Sequence, residues 1–243
     1  MSEYLDIAVT AARAAGAIQR EAYRGPLVIR EATQHDVKLK TDVDCEQAIS
    51  EILLGAFPDH AILGEEGGGT LREDQPTWIV DPLDGTVNFS RQVPHFCTSI
   101  ALQLHGRSLV GVVYHPLLDE LYTAEEGAGA FLNGERLAVS DTAELMAANM
   151  AVGFSKSPEN IARGLGKLCE LAHSVNKIRI MGAAALDLAY VASGRFDGFI
   201  EYGLRDWDIA AGVLMIREAG GHVQLTAAGE YAWDVVASNG KLW

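Results

Sequence analysis

With 243 residues, 49% of them hydrophobic and 21% charged, the chain can bury a large core in one or two packed halves, and its composition shows no sign of disorder. Lys and Arg total 19 against 33 Asp and Glu, a net charge of −14; this argues against nucleic-acid binding as the main activity and would repel a phosphate ester unless cations were bound. No stretch of about 18 apolar residues occurs, and the N-terminus lacks the basic start and apolar core of a signal peptide, so no membrane contact and a cytoplasmic location are expected.

Leu5, Ala8, Val9, Ala12, Ala15 and Gly16 recur at helical spacing, and Ile49, Ile52, Leu53 and Ala56 share one face of a second helix, from Glu46 to Phe57. Ala61-Ile62-Leu63 predicts a strand running into a glycine-rich loop. Trp78-Ile79-Val80, bounded by Pro76, Pro82 and Gly85, predicts the end of a buried strand with Asp81 at its edge. Apolar residues on both sides of Gly106 predict a hairpin from Thr98 to Val113, and a strand with glycine turns follows from Glu120 to Phe131, ending at Asn133-Gly134. This half reads as α plus antiparallel β. The remainder alternates a strand at Asn149 to Phe154, a helix near Pro158 to His173, a strand around Lys177 to Ile180, a helix at Ala183 to Ser193, a strand at Gly198 to Tyr202, a helix at Asp208 to Ala219, and terminal strands. No repeat or low-complexity linker separates the halves, about 1–134 and 135–243, so residues 1–243 read as a single catalytic domain with the site between them.

Cys45, Cys97 and Cys169 match neither a disulfide framework nor a zinc site and read as small hydrophobes. His60, His95, His105, His115 and His222 show no metal-ligand spacing, and none is assigned a catalytic role.

The chemistry concentrates in Asp81-Pro82-Leu83-Asp84-Gly85-Thr86. Two carboxylates on one tight turn repel strongly in a partly dry site unless protonated or bridged by a cation, and their hard oxygens suit Mg²⁺, whose shell is commonly completed by phosphate oxygens. Gly85 leaves room for a ligand, so the N–H groups of Gly85 and Thr86 at a helix start can receive phosphate. The alternative is that Asp81 and Asp84 are turn and capping residues. Glu65 and Glu66, just past a strand end, are either site ligands or solvated loop charges. Asp208, in the first turn of a helix, is either a ligand or a cap.

Gly64-Glu65-Glu66, then Trp78 through Asp84 to Gly85-Thr86-Val87-Asn88-Phe89, then Trp207-Asp208 with Glu218-Ala219-Gly220-Gly221, together resemble the inositol monophosphatase family, in order and spacing over nearly the whole chain. Thr41-Asp42-Val43-Asp44 looks like the family's Thr-x-x-Asp, and Gly182-Ala183-Ala184-Ala185 like its Gly-x-Ala-Ala turn. The resemblance implies an α+β fold layered α/β/α/β/α, of the inositol monophosphatase and fructose-1,6-bisphosphatase type. It implies that Glu65, Asp81 and the Leu83 carbonyl hold one Mg²⁺, that Asp81, Asp84 and Asp208 hold a second, and that Glu65 helps with a third, weaker ion. Thr86 paired with Asp44 would activate the attacking water, with Glu65 counted among the catalytic groups. Gly85 and Thr86 would hold the phosphate beside Asp84 and Asp208, while Gly182, Ala183, Ala184 and Glu201 would face the released alcohol. A homodimer is implied too.

The chain departs from the family pattern at Val87, often a second Thr, at Ala183, often Ser or Thr, and in the lead-in His35-Asp36-Val37-Lys38-Leu39-Lys40. Lys38 and Lys40 read as surface lysines or as groups reaching the metal site. Arg179 and Arg205, near the substrate segments, fit either a salt bridge or contact with a second phosphate. The leading function is Mg²⁺-dependent hydrolysis of a small polyol phosphate, first of all myo-inositol monophosphate. Fructose 1,6-bisphosphate, histidinol phosphate and 3′-phosphoadenosine 5′-phosphate are the alternatives. A reading from a different class is a binding or assembly module that retains the fold without turnover.

Overall fold

Ser2 starts the first helix by accepting the N–H of Leu5 on its hydroxyl, and Glu3 and Asp6 put negative charge on its first turn. In the computed structural model, which describes residues 2–32, 37–72, 74–154 and 157–243, this helix, α1 (Glu3–Ala22), buries Leu5, Ala8, Ala11, Ala12 and Ala15. Such small side chains let it lie close to the sheet beneath, and Gly16 closest of all: a Cβ there would meet the Tyr114 ring at 2.4 Å. A two-stranded antiparallel ladder, β1 (Ile29–Ala32) and β2 (Val37–Leu39), leads into α2 (Lys40–Ala56). His35 and Asp36 of the lead-in lie outside the described residues.

A seven-stranded sheet follows, its strands adjacent in chain order: β3 (Ala61–Gly64), β4 (Thr77–Asp84), β5 (Cys97–Leu104), β6 (Arg107–His115), β7 (Glu120–Glu125), β8 (Gly129–Leu132) and β9 (Glu135–Arg136). β3 and β4 are parallel; the other pairs are antiparallel. A short helix, α3 (Thr86–Ser90), fills the step from β4 to β5. After a 3-10 turn at Leu145–Ala147 come β10 (Asn149–Val152), α4 (Pro158–Ala172), β11 (Lys177–Arg179), α5 (Ala184–Ala192), β12 (Gly198–Arg205), α6 (Asp206–Glu218), β13 (His222–Gly229) and β14 (Ala232–Ser238). These strands make a five-stranded sheet in the order β11-β10-β12-β14-β13.

The layers are those the family resemblance implies. α1 and α2 cover the outer face of the seven-stranded sheet, α5 and α6 are sandwiched between the two sheets, and α4 covers the far face of the second. The central layer is close-packed because it is nearly all small or branched apolar side chains, including Ala185, Leu188, Ala189, Ala211, Val213 and Met215.

Three of the boundaries that differ from the periodic reading bear on the site. α2 begins at Lys40 because the Asp42 carboxylate accepts the Leu39 N–H at 2.9 Å, a cap invisible to apolar spacing. α6 begins at Asp206, ahead of its apolar run. β4 continues past Val80 to Asp84, with Pro82 inside it, because the ladder with β5 breaks there into a bulge that needs no N–H from proline.

Gly111 on β6 meets the α6 backbone so closely that a Cβ would lie 3.0 Å from the Ala211 Cα and 3.1 Å from its carbonyl oxygen. Gly111→Ala is therefore expected to destabilise the chain by about 1–3 kcal/mol in urea unfolding. Gly55→Ala, near the end of α2 with nothing within 4 Å of the new methyl, is expected to stabilise it by about 0.5–1 kcal/mol.

Candidate active site

A regular strand would send Asp81 and Asp84, at odd spacing, to opposite faces. Asp81 pairs with Ser99 and Asp84 with Cys97, so Pro82 and Leu83 together oppose Thr98, and the extra residue brings both carboxylates to one side. Both are buried, Asp81 at 2% and Asp84 at 8% exposure. Asp81 Oδ1 accepts the Leu83 N–H at 3.0 Å. Asp84 Oδ2 accepts the Ala185 N–H at 2.8 Å and a weak contact from the Cys97 thiol at 3.6 Å. α5 has no side-chain cap of its own at Ala183; the carboxylate from β4 takes that place.

Burial pushes the Asp81 carboxyl well above its ordinary range, and the negative charges of Glu65, Asp84 and Asp208 push it further. Burial lifts Asp84 to about 6, with the Ala185 N–H and His95 pulling down and Asp187 and Glu65 pushing up. Glu65 follows β3, and its N–H bonds the Val80 carbonyl at 3.2 Å, which fixes its turn beside β4. Asp208 caps α6 by accepting the Arg205 N–H at 2.7 Å and still acts on Asp81, so it is both a cap and a member of the acidic cluster.

Among the described residues no three His, Cys, Asp or Glu side chains are drawn onto one point as ready ligands. The carboxylates nonetheless interact through a dry interior, and the charges acting on Asp81 are all negative. Such a donor set, carboxylates with a carbonyl nearby, fits a hard divalent cation. A surface cleft of about 270 Å³ lined by Leu71, Arg72, Gln103 and Tyr231 shares no residue with this cluster, so charge rather than concavity marks the site.

Thr86 corrects the expected pairing. Its hydroxyl bonds Asp42 Oδ1 at 3.0 Å and the Leu83 carbonyl at 2.9 Å. Asp44 takes the Lys40 ammonium at 2.7 Å instead, on the exposed side of α2. Residues two apart on a helix lie on nearly opposite faces, so only one of Asp42 and Asp44 can point inward, and the Leu39 cap selects Asp42.

The remaining candidates fall around this cluster. Gly85 has φ +89°, and a Cβ there would lie 2.9 Å from the His95 carbonyl oxygen and 3.2 Å from the Ala183 methyl. Asn88 Nδ2 donates to the Met181 carbonyl at 2.8 Å and the His95 carbonyl at 2.9 Å, which docks the Gly182 turn beside α3; Ala183 and Ala184 are buried. Glu201 is buried and held well above its ordinary range by burial and by Asp208, Asp187 and Asp84. Lys38 pairs with Glu66 at 3.1 Å. Arg205 donates to the Glu230 carbonyl and Arg179 to that of Ile178.

Several neighbours escaped the sequence reading. Glu46, buried under the glycine loop, accepts the N–H groups of Glu66 and Gly67 at 2.9 and 2.6 Å. His95 and Asp187 form a buried pair at 3.1 Å beside Asp84. Gly153 must lack a side chain, since its Cβ would fall 1.7 Å from Glu201 Oε2.

The family model described as the inositol monophosphatase family matches residues 1–242. The chain belongs to the inositol monophosphatase family. Relatives include a protein of Escherichia coli K12 named Nus factor SuhB, 41% identical over all of this chain and 93% of its own length, and inositol monophosphatase 2 of Solanum lycopersicum, 40% identical over all of this chain and 96% of its own. The crystal structure of the extragenic suppressor protein suhB of Bartonella henselae superposes with a TM-score of 0.92 at 40% identity, covering 99% of this chain and 95% of that one. Family membership makes the cluster on the β4 bulge the place to look for a phosphatase centre.

Asp81 carries a pH signature. A carboxyl raised above its ordinary 3.8 stabilises the fold below that value and loses this contribution as pH rises toward the raised folded value. In metal-free protein, Asp81→Asn should therefore gain stability relative to the wild type from pH 5 to pH 8. Thermal melts in EDTA at both values check it; an unchanged difference would contradict the burial of an unneutralised charge.

Proposed function

We propose that this chain is a Mg²⁺-dependent phosphomonoesterase acting on a small polyol phosphate, with myo-inositol monophosphate as the leading substrate. The observation that carries the reading is Asp81, buried and acted on by three further carboxylates. Glu65, Asp81 and the Leu83 carbonyl are assigned to one ion, Asp81, Asp84 and Asp208 to a second, and Glu65 also to a weaker third. When bound, such ions neutralise an anionic ester and acidify water.

The chain's own groups do the rest. Thr86 orients the attacking water through its hydroxyl, and Asp42, lifted to about 6 mainly by burial, takes up the proton while ionised. The N–H groups of Gly85 and Thr86 donate to the phosphate oxygens. The Gly182 to Ala184 turn and Glu201 face the alcohol, and the whole of 1–243 acts as one catalytic unit. A homodimer belongs to the same reading through the family resemblance.

One observation favours a second reading: the 41% identical relatives are named Nus factor SuhB. A binding or assembly role would leave the carboxylate cluster without work.

Phosphate release from inositol 1-phosphate, fructose 1,6-bisphosphate, histidinol phosphate and 3′-phosphoadenosine 5′-phosphate, with Mg²⁺ and with EDTA, decides between them. Release that needs Mg²⁺ and falls about a thousandfold in Asp84→Asn is the expected result, matching the loss of several kcal/mol of charge stabilisation. No release from any substrate would favour the binding reading. Asp42→Asn should lose about 10²–10⁴ in kcat and Asp44→Asn almost none; the reverse order would restore Asp44. Because Asp42 must be ionised to take a proton, kcat should fall as pH drops through about 6.

A further inference from the structure

Gln19 is the polar member of the buried row on α1, which otherwise consists of Leu5, Ala8, Ala11, Ala12, Ala15 and Gly16. It is fully buried. Its Nε2 donates to the Pro82 carbonyl at 2.7 Å and to Thr98 Oγ1 at 2.8 Å, and the Thr98 hydroxyl donates to the same carbonyl at 3.2 Å. Only the amide nitrogen can face Pro82, because a carbonyl oxygen accepts and never donates. That orientation leaves Gln19 Oε1 buried without a partner among the described residues, a loss on the order of 1–3 kcal/mol for a group that serves packing alone.

The Pro82 carbonyl needs these donors because the bulge takes it out of the ladder with β5. It is also one end of a single planar unit whose other end is the Leu83 N–H, and in a trans peptide the two point in opposite directions. The Leu83 N–H donates to Asp81 Oδ1 at 3.0 Å. Gln19 thus grips one end of a rigid plate whose other end grips Asp81. Donation into the carbonyl polarises the peptide and strengthens the N–H as a donor to the carboxylate. The same plate sets the start of the Leu83 residue, whose own carbonyl bonds Thr86. One turn past Gln19, at the C-cap of α1, the Tyr23 hydroxyl donates to the Gln92 carbonyl at 2.6 Å, just beyond the end of α3.

We infer that Gln19 is a positioning residue for the metal centre, acting through the Pro82–Leu83 peptide to fix the Asp81 carboxylate and the Leu83 carbonyl. The inference rests on the assignment of these two groups to bound cations made above. Removing a partner that orients a ligand typically weakens a metal site 10–100-fold.

The test is calorimetric titration of the chelator-stripped full chain with MgCl₂, on wild type, Gln19→Met and Thr98→Val, alongside thermal melts in EDTA and steady-state kinetics on inositol 1-phosphate. Gln19→Met keeps the length of the side chain and removes its donors. It should bind Mg²⁺ about 10–100-fold more weakly, lose activity at low Mg²⁺ and regain most of it as Mg²⁺ is raised, with KM for the ester unchanged. Thr98→Val should shift the affinity less and in the same direction, and it decides the matter if Gln19→Met does not fold. Variants that melt earlier in EDTA yet bind Mg²⁺ as tightly as wild type would reduce Gln19 to a packing residue and overturn the inference alone. A wild type that takes up no Mg²⁺ would remove the metal-dependent reading and this inference with it.

Discussion

The geometry of the site depends on one irregularity, the two-for-one bulge of Pro82 and Leu83 opposite Thr98. Without it, strand alternation would send Asp81 and Asp84 to opposite faces of the sheet, one toward α1 and α2 and the other toward the interlayer. Proline suits this position because the bulge demands no ladder N–H there, and Gly85 because the chain must turn at φ +89° under the His95 carbonyl. Backbone groups freed by the bulge then become useful. The Leu83 N–H orients Asp81, the Leu83 carbonyl receives Thr86, and the Pro82 carbonyl receives Gln19 and Thr98.

Two carboxylates crowded into a dry interior are a liability that the surrounding layers contain. Asp84 borrows an N–H from the first turn of α5, and Asp208 borrows one from the start of α6. Each helix thereby gains the negative charge its N-terminus favours. The acid from β4 thus joins the sheet of one half to a helix of the sequence that follows, and Asn88 does the same for the Gly182 turn. Stabilising the acids and fixing the second half against the first are the same set of hydrogen bonds.

The legible part of the site is the part whose geometry is local. Asp81, Asp84 and Gly85 lie within one turn, so residue type and spacing suffice to single them out; the layered fold is what the family resemblance implies, since the apolar periods of α1, α5 and α6 show helices and not how they stack. The resemblance pairs Thr86 with Asp44 while the structure pairs it with Asp42, because the choice depends on where α2 begins and Lys40 to Asp44 carries no apolar period to reveal its phase. Glu46 looks like any helix-surface acid until the glycine loop folds over it. His95 with Asp187, and Gly153 under Glu201, join residues far apart in sequence, and spacing cannot show such pairs. Capping does not take Asp208 out of the acidic cluster, since it caps its helix and acts on Asp81 at once.

The name carried by the SuhB relatives bears on what such a site is for. A surface used only to hold a partner selects for complementary shape and for charge that stays in water, where it is cheap to keep. Asp81 is the opposite case: 2% exposed, surrounded by other acids and raised far from its ordinary range. Replacing it with a neutral amide would relieve the fold, so its carboxylate lowers stability whenever the ligand it suits is absent. A chain of net charge −14 that nonetheless buries Asp81 among further carboxylates has a cluster suited to a cation, and for a reading by phosphate hydrolysis that cation is what the net charge requires. Any additional binding role would have to use other parts of the surface, because nothing in protein association alone accounts for charge placed where no partner can reach it.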